Sequence, residues 1–148
     1  MKLVKGIGIT LIVVLVGLQF IPTRSTQNRT VESSDLVQTF NVPENVRQMI
    51  VASCYDCHSN TTNYPWYSKI QPVGWFLEKH INKGVEELNF SEFKQYSTRK
   101  QKGKLKSMVK QIGNNEMPLT SYTFIHRDAR LSQKDKKVLM DYLNTLIE

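Results

Sequence analysis

The sequence predicts an all-α protein, and three observations support this prediction. Apolar residues recur at helical spacing in several segments of the chain. Almost no segment alternates apolar and polar residues with the period of two that is typical of a half-buried strand. The 148 residues suffice for one compact domain with a short extension. We therefore expect a small helical domain with few or no strands.

The N-terminal segment differs in composition from the rest of the chain. Lys2 and Lys5 precede residues 6–23, which include no charged side chain. A basic start followed by an apolar run is typical of a secretory signal or a membrane anchor. The run ends without the small residues that signal cleavage needs, and it is just long enough to span a bilayer. We expect residues 1–23 to be an uncleaved transmembrane helix, with a cleaved signal as the alternative.

Two further regions follow the predicted anchor. Residues 24–43 are rich in Thr, Ser, Gln and Asn, have little periodicity, and are predicted to form a linker. Residues 44–148 are predicted to form one helical domain. Its first helix should begin after Pro43 and run directly into Cys54. We expect this helix to pack against the last helix of the chain.

Four later segments complete the predicted domain. A second helix is expected from about Pro72 to Asn82, with Gly84 past its end. Ser91 is predicted to cap a short helix, and Ser132 to cap the last one, with a favourable Asp135 in its first turn. An amphipathic stripe predicts another helix before Gly113; its apolar residues are Leu105, Met108, Val109 and Ile112.

The chain's two cysteines lie in one short motif, Cys54-Tyr55-Asp56-Cys57-His58. This is the C-x-x-C-H pattern by which haem is attached covalently. Two thiols at this spacing reach two vinyl groups of one porphyrin, and the following histidine lies under the iron. The other ring nitrogen of His58 should donate to a backbone carbonyl. We expect that carbonyl to lie in the loop around Pro65 and Trp66.

Two other interpretations of the cysteine pair are weaker. A thioredoxin-like redox pair is expected at a helix start within a βαβ pattern, whereas this motif follows a helix. A zinc site would need four ligands, often in two pairs. Beyond Cys54 and Cys57, the chain offers only His58, His80 and His126 as ligands of the usual nitrogen or sulfur kind, and no second pair.

The second axial ligand of a bound haem iron has several candidates. Met117 is favoured, because it lies between a predicted helix and Pro118, and a loop of fixed geometry suits a thioether that binds iron. Met117 packed on the core is the alternative role for such a residue. His80, on the second helix, would give two histidine ligands, and His126 is a third candidate. Methionine in this position would raise the reduction potential relative to histidine.

The chain carries a formal net charge of +7, and its basic residues are unevenly placed. A solvated helix face is one interpretation of the densest cluster. A docking patch for an acidic redox partner or for anionic lipid head groups is the other. Nucleic acid is not an expected partner of an exported domain. The cluster consists of Arg99, Lys100, Lys102, Lys104, Lys106 and Lys110.

Several separated segments together resemble the bacterial haem-binding-domain family related to cytochrome c. They occur in the expected order, and the resemblance covers roughly residues 40–148. One departure is Phe93, where the family often has Trp. The segments are CYDCHSN at 54–60, NYPWY at 63–67, LNFSE at 88–92 and EMPL at 116–119.

The resemblance implies a small, all-α, cytochrome c-like domain with one covalent haem c and with His58 and Met117 as axial ligands of its iron. We expect one-electron transfer at the periplasmic face of the bacterial inner membrane, with an unidentified redox protein as partner and the N-terminal segment as the membrane contact. A haem-based gas or redox sensor is the alternative function, and a peroxidase-type enzyme is a weaker one.

Overall fold

The computed structural model describes residues 2–23 and 33–148. Within these residues the protein consists of helices and loops without a strand, so the all-α prediction is confirmed. Three 3₁₀ helices lie at Trp66–Lys69, Phe90–Gln95 and Arg127–Ala129. The α-helices are α1 (Lys2–Leu18), α2 (Leu36–Thr39), α3 (Glu44–His58), α4 (Val73–Glu87), α5 (Thr98–Gly113), α6 (Thr120–Ile125) and α7 (Gln133–Thr145).

The hydrophobic core lies between α3, α5 and α7. Helix α5 packs along α7, and α3 contacts both α4 and α7. The predicted packing of the motif helix against the last helix is therefore confirmed. Side chains that recur at helical spacing point into this core, as an amphipathic pattern requires. Fully buried members include Ile50, Phe90, Phe93, Leu105, Leu139 and Leu143.

The core extends into the segment that was predicted to be a linker. Leu36 and Val37 are buried in the core cluster. The neighbouring Asp35 is also buried, and its Oδ1 accepts hydrogen bonds from the Val37 amide at 2.9 Å and the Tyr55 hydroxyl at 2.6 Å. Burial, and then the hydrogen bond to Asp35, raise the pKa of Tyr55. The remainder of the predicted linker, residues 24–32, lies outside the described residues.

Helix α4 is longer than predicted. It continues past Asn82 to Glu87, so Gly84 lies within its last turn and not beyond its end. The short helix that follows is capped by the Asn89 side chain, which accepts from the Ser91 amide, and Ser91 itself is buried. The prediction of Ser91 as the cap was wrong, because Asn89 caps this helix and Ser91 lies within its first turn.

Helix α1 contains 17 residues. In the described part of the chain, no helix combines the length and the apolar character needed to cross a membrane. The prediction of a transmembrane helix at residues 1–23 is therefore not supported. Just beyond α1, the Gln19 side chain accepts from the Gln71 amide at 2.9 Å and donates to the Gln71 carbonyl at 3.1 Å. This pair of hydrogen bonds joins the end of the N-terminal segment to the loop before α4.

Candidate functional site

The motif occupies the end of α3. The helix ends at His58, and the backbone of Ser59 is extended. Cys54 and Cys57 are one turn apart, so their side chains lie on the same helix face. Both are half-buried free thiols, and His58 is also half-buried. The predicted set of two thiols and one imidazole is therefore grouped on one helix end.

The orientation of His58 is set by two backbone carbonyls. Its Nδ1 lies 2.9 Å from the Gly84 oxygen and 3.1 Å from the Leu88 oxygen. A carbonyl oxygen only accepts, so Nδ1 must carry the proton and donate it. The neutral ring then has its lone pair on Nε2. In metal-binding histidines, one ring nitrogen binds the metal while the other donates its proton, often to a backbone carbonyl.

The carbonyl that accepts from His58 is not where the sequence predicted it. The loop around Pro65 and Trp66 was the expected location, but the acceptors lie at the end of α4 and just after it. The Gly84 carbonyl also accepts from the Leu88 amide at 2.9 Å, and carbonyls at a helix C-terminus carry partial negative charge. The prediction failed because α4 was expected to end before Gly84.

Gly84 permits the close approach of α4 to the motif. A Cβ added at this position would collide with the carbonyl oxygen of Cys57, and its next neighbours would also be atoms of Cys57. Only a residue without a side chain fits this contact between α3 and α4. The glycine therefore allows the backbone of α4 to lie within hydrogen-bonding distance of the His58 ring.

The environment of the two thiols disfavours the thioredoxin-like alternative. Burial raises the pKa of Cys54 to about 12, and the nearby Cys57 adds to this effect. Burial, and then the charge of Asp56, raise the pKa of Cys57 to about 11. Both thiols are thus protonated at neutral pH, whereas reactive redox cysteines have a lowered pKa. The zinc alternative gains no support either, since no three His, Cys, Asp or Glu side chains of the described residues converge as a metal site.

A hydrogen-bonded aromatic cluster joins the motif to the second half of the chain. The Asp56 carboxylate accepts from the Tyr122 hydroxyl at 2.6 Å. The Tyr122 ring stacks on His126 with 4.3 Å between centroids, and Nε2 of His126 shares a hydrogen bond of 2.7 Å with the Tyr67 hydroxyl. Sequence reasoning missed this cluster, because no local pattern links Asp56 to a tyrosine 66 positions away.

Met117 lies in the connection between α5 and α6. It is half-buried, and its amide donates to the Gln111 carbonyl of α5 at 3.3 Å. Its side chain lines a small cavity together with Asn115, Arg130 and Leu131. No motif residue is among the described residues that line this cavity. Thr120 and Thr123 of α6 line the same cavity, so Met117 lies beside α6, and its role as an iron ligand stays a prediction.

The other two candidate ligands have partners of their own. His80 is exposed on α4, and its Nδ1 donates to the Phe76 carbonyl one turn earlier, at 2.8 Å. His126 is half-buried in the cluster with Tyr67 and Tyr122. The structure describes no contact between either of them and His58.

The residues present fit a haem group. The motif provides two thiols one turn apart and an imidazole whose Nδ1 already donates to backbone carbonyls. Large apolar side chains are also exposed nearby in the chain: Trp66 is 76% exposed, and Phe124, two residues before His126, is 75% exposed. Single exposed apolar side chains are common on protein surfaces, so the fit rests on the donor set of the motif.

Replacing Gly84 by Ala should disrupt the contact between α3 and α4. The added Cβ would meet the Cys57 carbonyl, and overpacking of this kind costs about 1–3 kcal/mol. Gly103 in α5 is a matched control, because a Cβ there has nothing within 4 Å. We expect Gly103→Ala to raise the free energy of unfolding by about 0.5–1 kcal/mol. Urea unfolding measures both, and equal effects of the two variants would contradict the close contact.

Removing the Tyr122 hydroxyl should weaken the attachment of α6 to the motif. Tyr122→Phe keeps the stacked ring but leaves the Asp56 carboxylate with one donor fewer, at a cost of about 1–3 kcal/mol for a charged acceptor. Tyr142→Phe is the control, since its hydroxyl lies 3.5 Å from the Phe40 carbonyl and makes at best a weak bond. In thermal unfolding, we expect the melting temperature of Tyr122→Phe to be well below that of Tyr142→Phe. The reverse order would refute the role of this bond.

Comparison with known proteins identifies the family of this chain. Residues 13–145 match the family described as the haem-binding domain. The match begins earlier than residue 40, where the resemblance in the sequence was expected to start. No curated protein and no solved structure matches the chain. The match covers far more than half of the chain. This protein belongs to the haem-binding domain family, and its cofactor is haem.

Proposed function

We propose that this protein is a mono-haem c-type cytochrome that transfers single electrons. The orientation of His58 carries the proposal. His58 lies at the end of α3, the helix that presents both thiols. Its Nδ1 donates to the carbonyls of Gly84 and Leu88. The Nε2 lone pair is left as the proximal ligand. Bound haem iron supplies a one-electron couple between its ferrous and ferric states.

Covalent attachment follows from the two thiols. Each thiol would add across one vinyl double bond of the haem, with its sulfur bonded to one carbon and its hydrogen to the other, and no group would leave. Cys54 and Cys57 on one helix face suit a single porphyrin. The chain has two cysteines in total, which supports one haem attached in this way.

The placement of α4 favours Met117 over His80 as the second axial ligand. Helix α4 lies at the Nδ1 edge of His58, so an iron bound at Nε2 would lie on the opposite side of the ring. His80 is on this same helix, one turn before Gly84, and would therefore lie on the proximal side. Met117 precedes α6, which reaches the motif through Tyr122 and Asp56. We propose that this connection brings the Met117 thioether to the distal side.

An iron held by both His58 and Met117 would favour an electron carrier over a gas sensor or a peroxidase-type enzyme. A sensor needs a ligand that leaves, and a peroxidase needs an open iron site with acid–base groups. Of the two candidates for such a group, His126 is engaged by Tyr67 and Tyr122, and Nδ1 of His80 donates to the Phe76 carbonyl. We therefore propose that the protein transforms no substrate and passes electrons to a redox protein not yet identified.

We further propose that the protein works on the periplasmic side of a bacterial inner membrane. Haem attachment of this kind takes place outside the cytoplasm. The basic start and the apolar residues of the N-terminal segment are typical of an export signal. Both considerations support the same compartment.

A pyridine haemochrome spectrum tests covalent attachment. The protein is expressed with a c-type maturation system and extracted with acid acetone. We expect haem to stay with the wild-type polypeptide and to give a c-type spectrum, because thioether bonds resist extraction. The Cys54→Ser, Cys57→Ser variant should release its haem. Release of haem from the wild-type chain would disprove the proposed attachment.

Replacing Met117 by Ala tests the second ligand. We expect loss of the far-red charge-transfer band of methionine-bound ferric haem, a lower reduction potential, and carbon monoxide binding by the ferrous form. His80→Ala is the matched control and should change none of these properties. Carbon monoxide binding by the wild-type ferrous protein would instead favour the gas sensor, and the changes occurring in His80→Ala would assign the ligand to His80.

A further inference from the structure

We infer that one face of α5 is the docking surface for an acidic redox partner, an inference that rests on the proposed electron transfer. Steps of three and four residues place four basic side chains on one face of this helix. They extend over about 16 Å along its axis. We refer to them as the basic stripe: Arg99, Lys102, Lys106 and Lys110.

The basic stripe faces away from the core. Leu105, Met108 and Ile112 are buried on the opposite side of α5, where the helix packs against α7. Arg99, Lys106 and Lys110 are exposed, and Lys102 is partly so. The stripe is therefore accessible to another molecule along its whole length.

Little within the domain neutralises this charge. Helix α5 contains six basic and no acidic residues. In the described part of the chain, its one salt bridge is Lys104 with Glu87, at a long 3.9 Å. Lys102 donates to a backbone oxygen of Glu148. No ion pair is described for the other three members of the stripe.

The basic side chains at the start of α5, and its Gly103, disfavour the helix itself. Basic side chains near a helix N-terminus oppose the macrodipole, and the first turn of α5 holds Arg99 and Lys100 with no acidic residue. Gly103 adds about 0.5–1 kcal/mol of cost relative to alanine, although a Cβ there has open space. Lys110, in the last turn, favours the helix, but Arg99 at its start does not. Local stability therefore does not explain the whole basic stripe, whereas complementarity to an acidic surface does.

The stripe ends beside the proposed haem ligand. Lys110 is followed by Gln111, whose carbonyl accepts from the amides of Glu116 at 2.9 Å and Met117 at 3.3 Å. A partner that covers the C-terminal half of α5 would lie against the connection that holds Met117. Docking there would therefore bring a partner towards the iron.

The chemistry of the face favours a protein over a lipid surface. A helix that binds in a membrane interface inserts an apolar face beneath its basic one. The apolar face of α5 is occupied by α7, and no large hydrophobic side chain of α5 is exposed. Small, charged contacts without a large apolar area are typical of transient electron-transfer complexes.

The test compares the wild-type holoprotein with two variants that lose the same charge. One replaces the stripe by glutamine (R99Q, K102Q, K106Q and K110Q). The control replaces four exposed lysines elsewhere (K69Q, K79Q, K83Q and K94Q). Reduced flavodoxin, an acidic flavin protein, is the probe, and stopped-flow absorbance follows reduction of the ferric haem at low and high ionic strength.

At low ionic strength we expect the stripe variant to react about tenfold more slowly than the wild type, and the control to stay within about twofold of it. Added salt should reduce the difference. Equal slowing of both variants, or of neither, would overturn the docking surface while leaving the carrier function intact. Failure of dithionite to reduce the wild-type haem would disprove the carrier function and, with it, the docking proposal.

Sedimentation with phosphatidylglycerol vesicles separates a lipid surface from a protein surface. We expect the fraction bound to vesicles to be the same for the wild type, the stripe variant and the control. A fraction that falls only when the stripe is replaced would assign this face to anionic lipid and overturn the proposal.

Discussion

The hydrogen bond from His58 to the end of α4 determines how the rest of the site is arranged. It joins the last residue of α3 to the last turn of α4 and fixes the proton on Nδ1. The Gly84 carbonyl also accepts from the Leu88 amide, so it is shared between the helix end and the imidazole. Carbonyls at a helix C-terminus carry partial negative charge, which raises the basicity of a ring that donates to them. The same hydrogen bond therefore sets both the orientation of the His58 ring and its basicity.

This contact depends on steric as well as polar features. The backbones of α3 and α4 meet at Cys57 and Gly84, where no Cβ fits. Two residues before Cys57, the side chain of Tyr55 enters the core, and its hydroxyl donates to the buried Asp35 carboxylate. The motif is thus held from two sides: α4 supports the imidazole, and the segment before α3 supports the tyrosine between the cysteines. Such support on neighbouring helices keeps a ligand set in place more firmly than a loop would.

Asp56 extends the same scaffold to the C-terminal half of the chain. Its carboxylate binds the Asn63 amide at 2.9 Å and the Tyr122 hydroxyl, so one side chain of the motif orders both the following loop and α6. Because α6 comes shortly after Met117, and the Met117 amide is bonded to α5, the candidate distal ligand has fixed backbone on both sides. The basic stripe lies on that same α5. Cofactor attachment and the proposed docking surface therefore share structural elements.

Much of this protein was determined by local sequence. Helical spacing indicated the all-α fold, and Ser132 with Asp135 marked the start of α7, where the structure shows that they form a capping box. The motif of Cys54, Cys57 and His58 indicated haem as the cofactor. These signals are readable because the interacting groups lie within one or two helical turns of each other. Tertiary structure alone decided which carbonyls bind His58, that Asp35 and Leu36 join the core, and that Tyr122 reaches Asp56. Those contacts join residues 20 or more positions apart, and they depend on how closely helices approach, which no local pattern encodes.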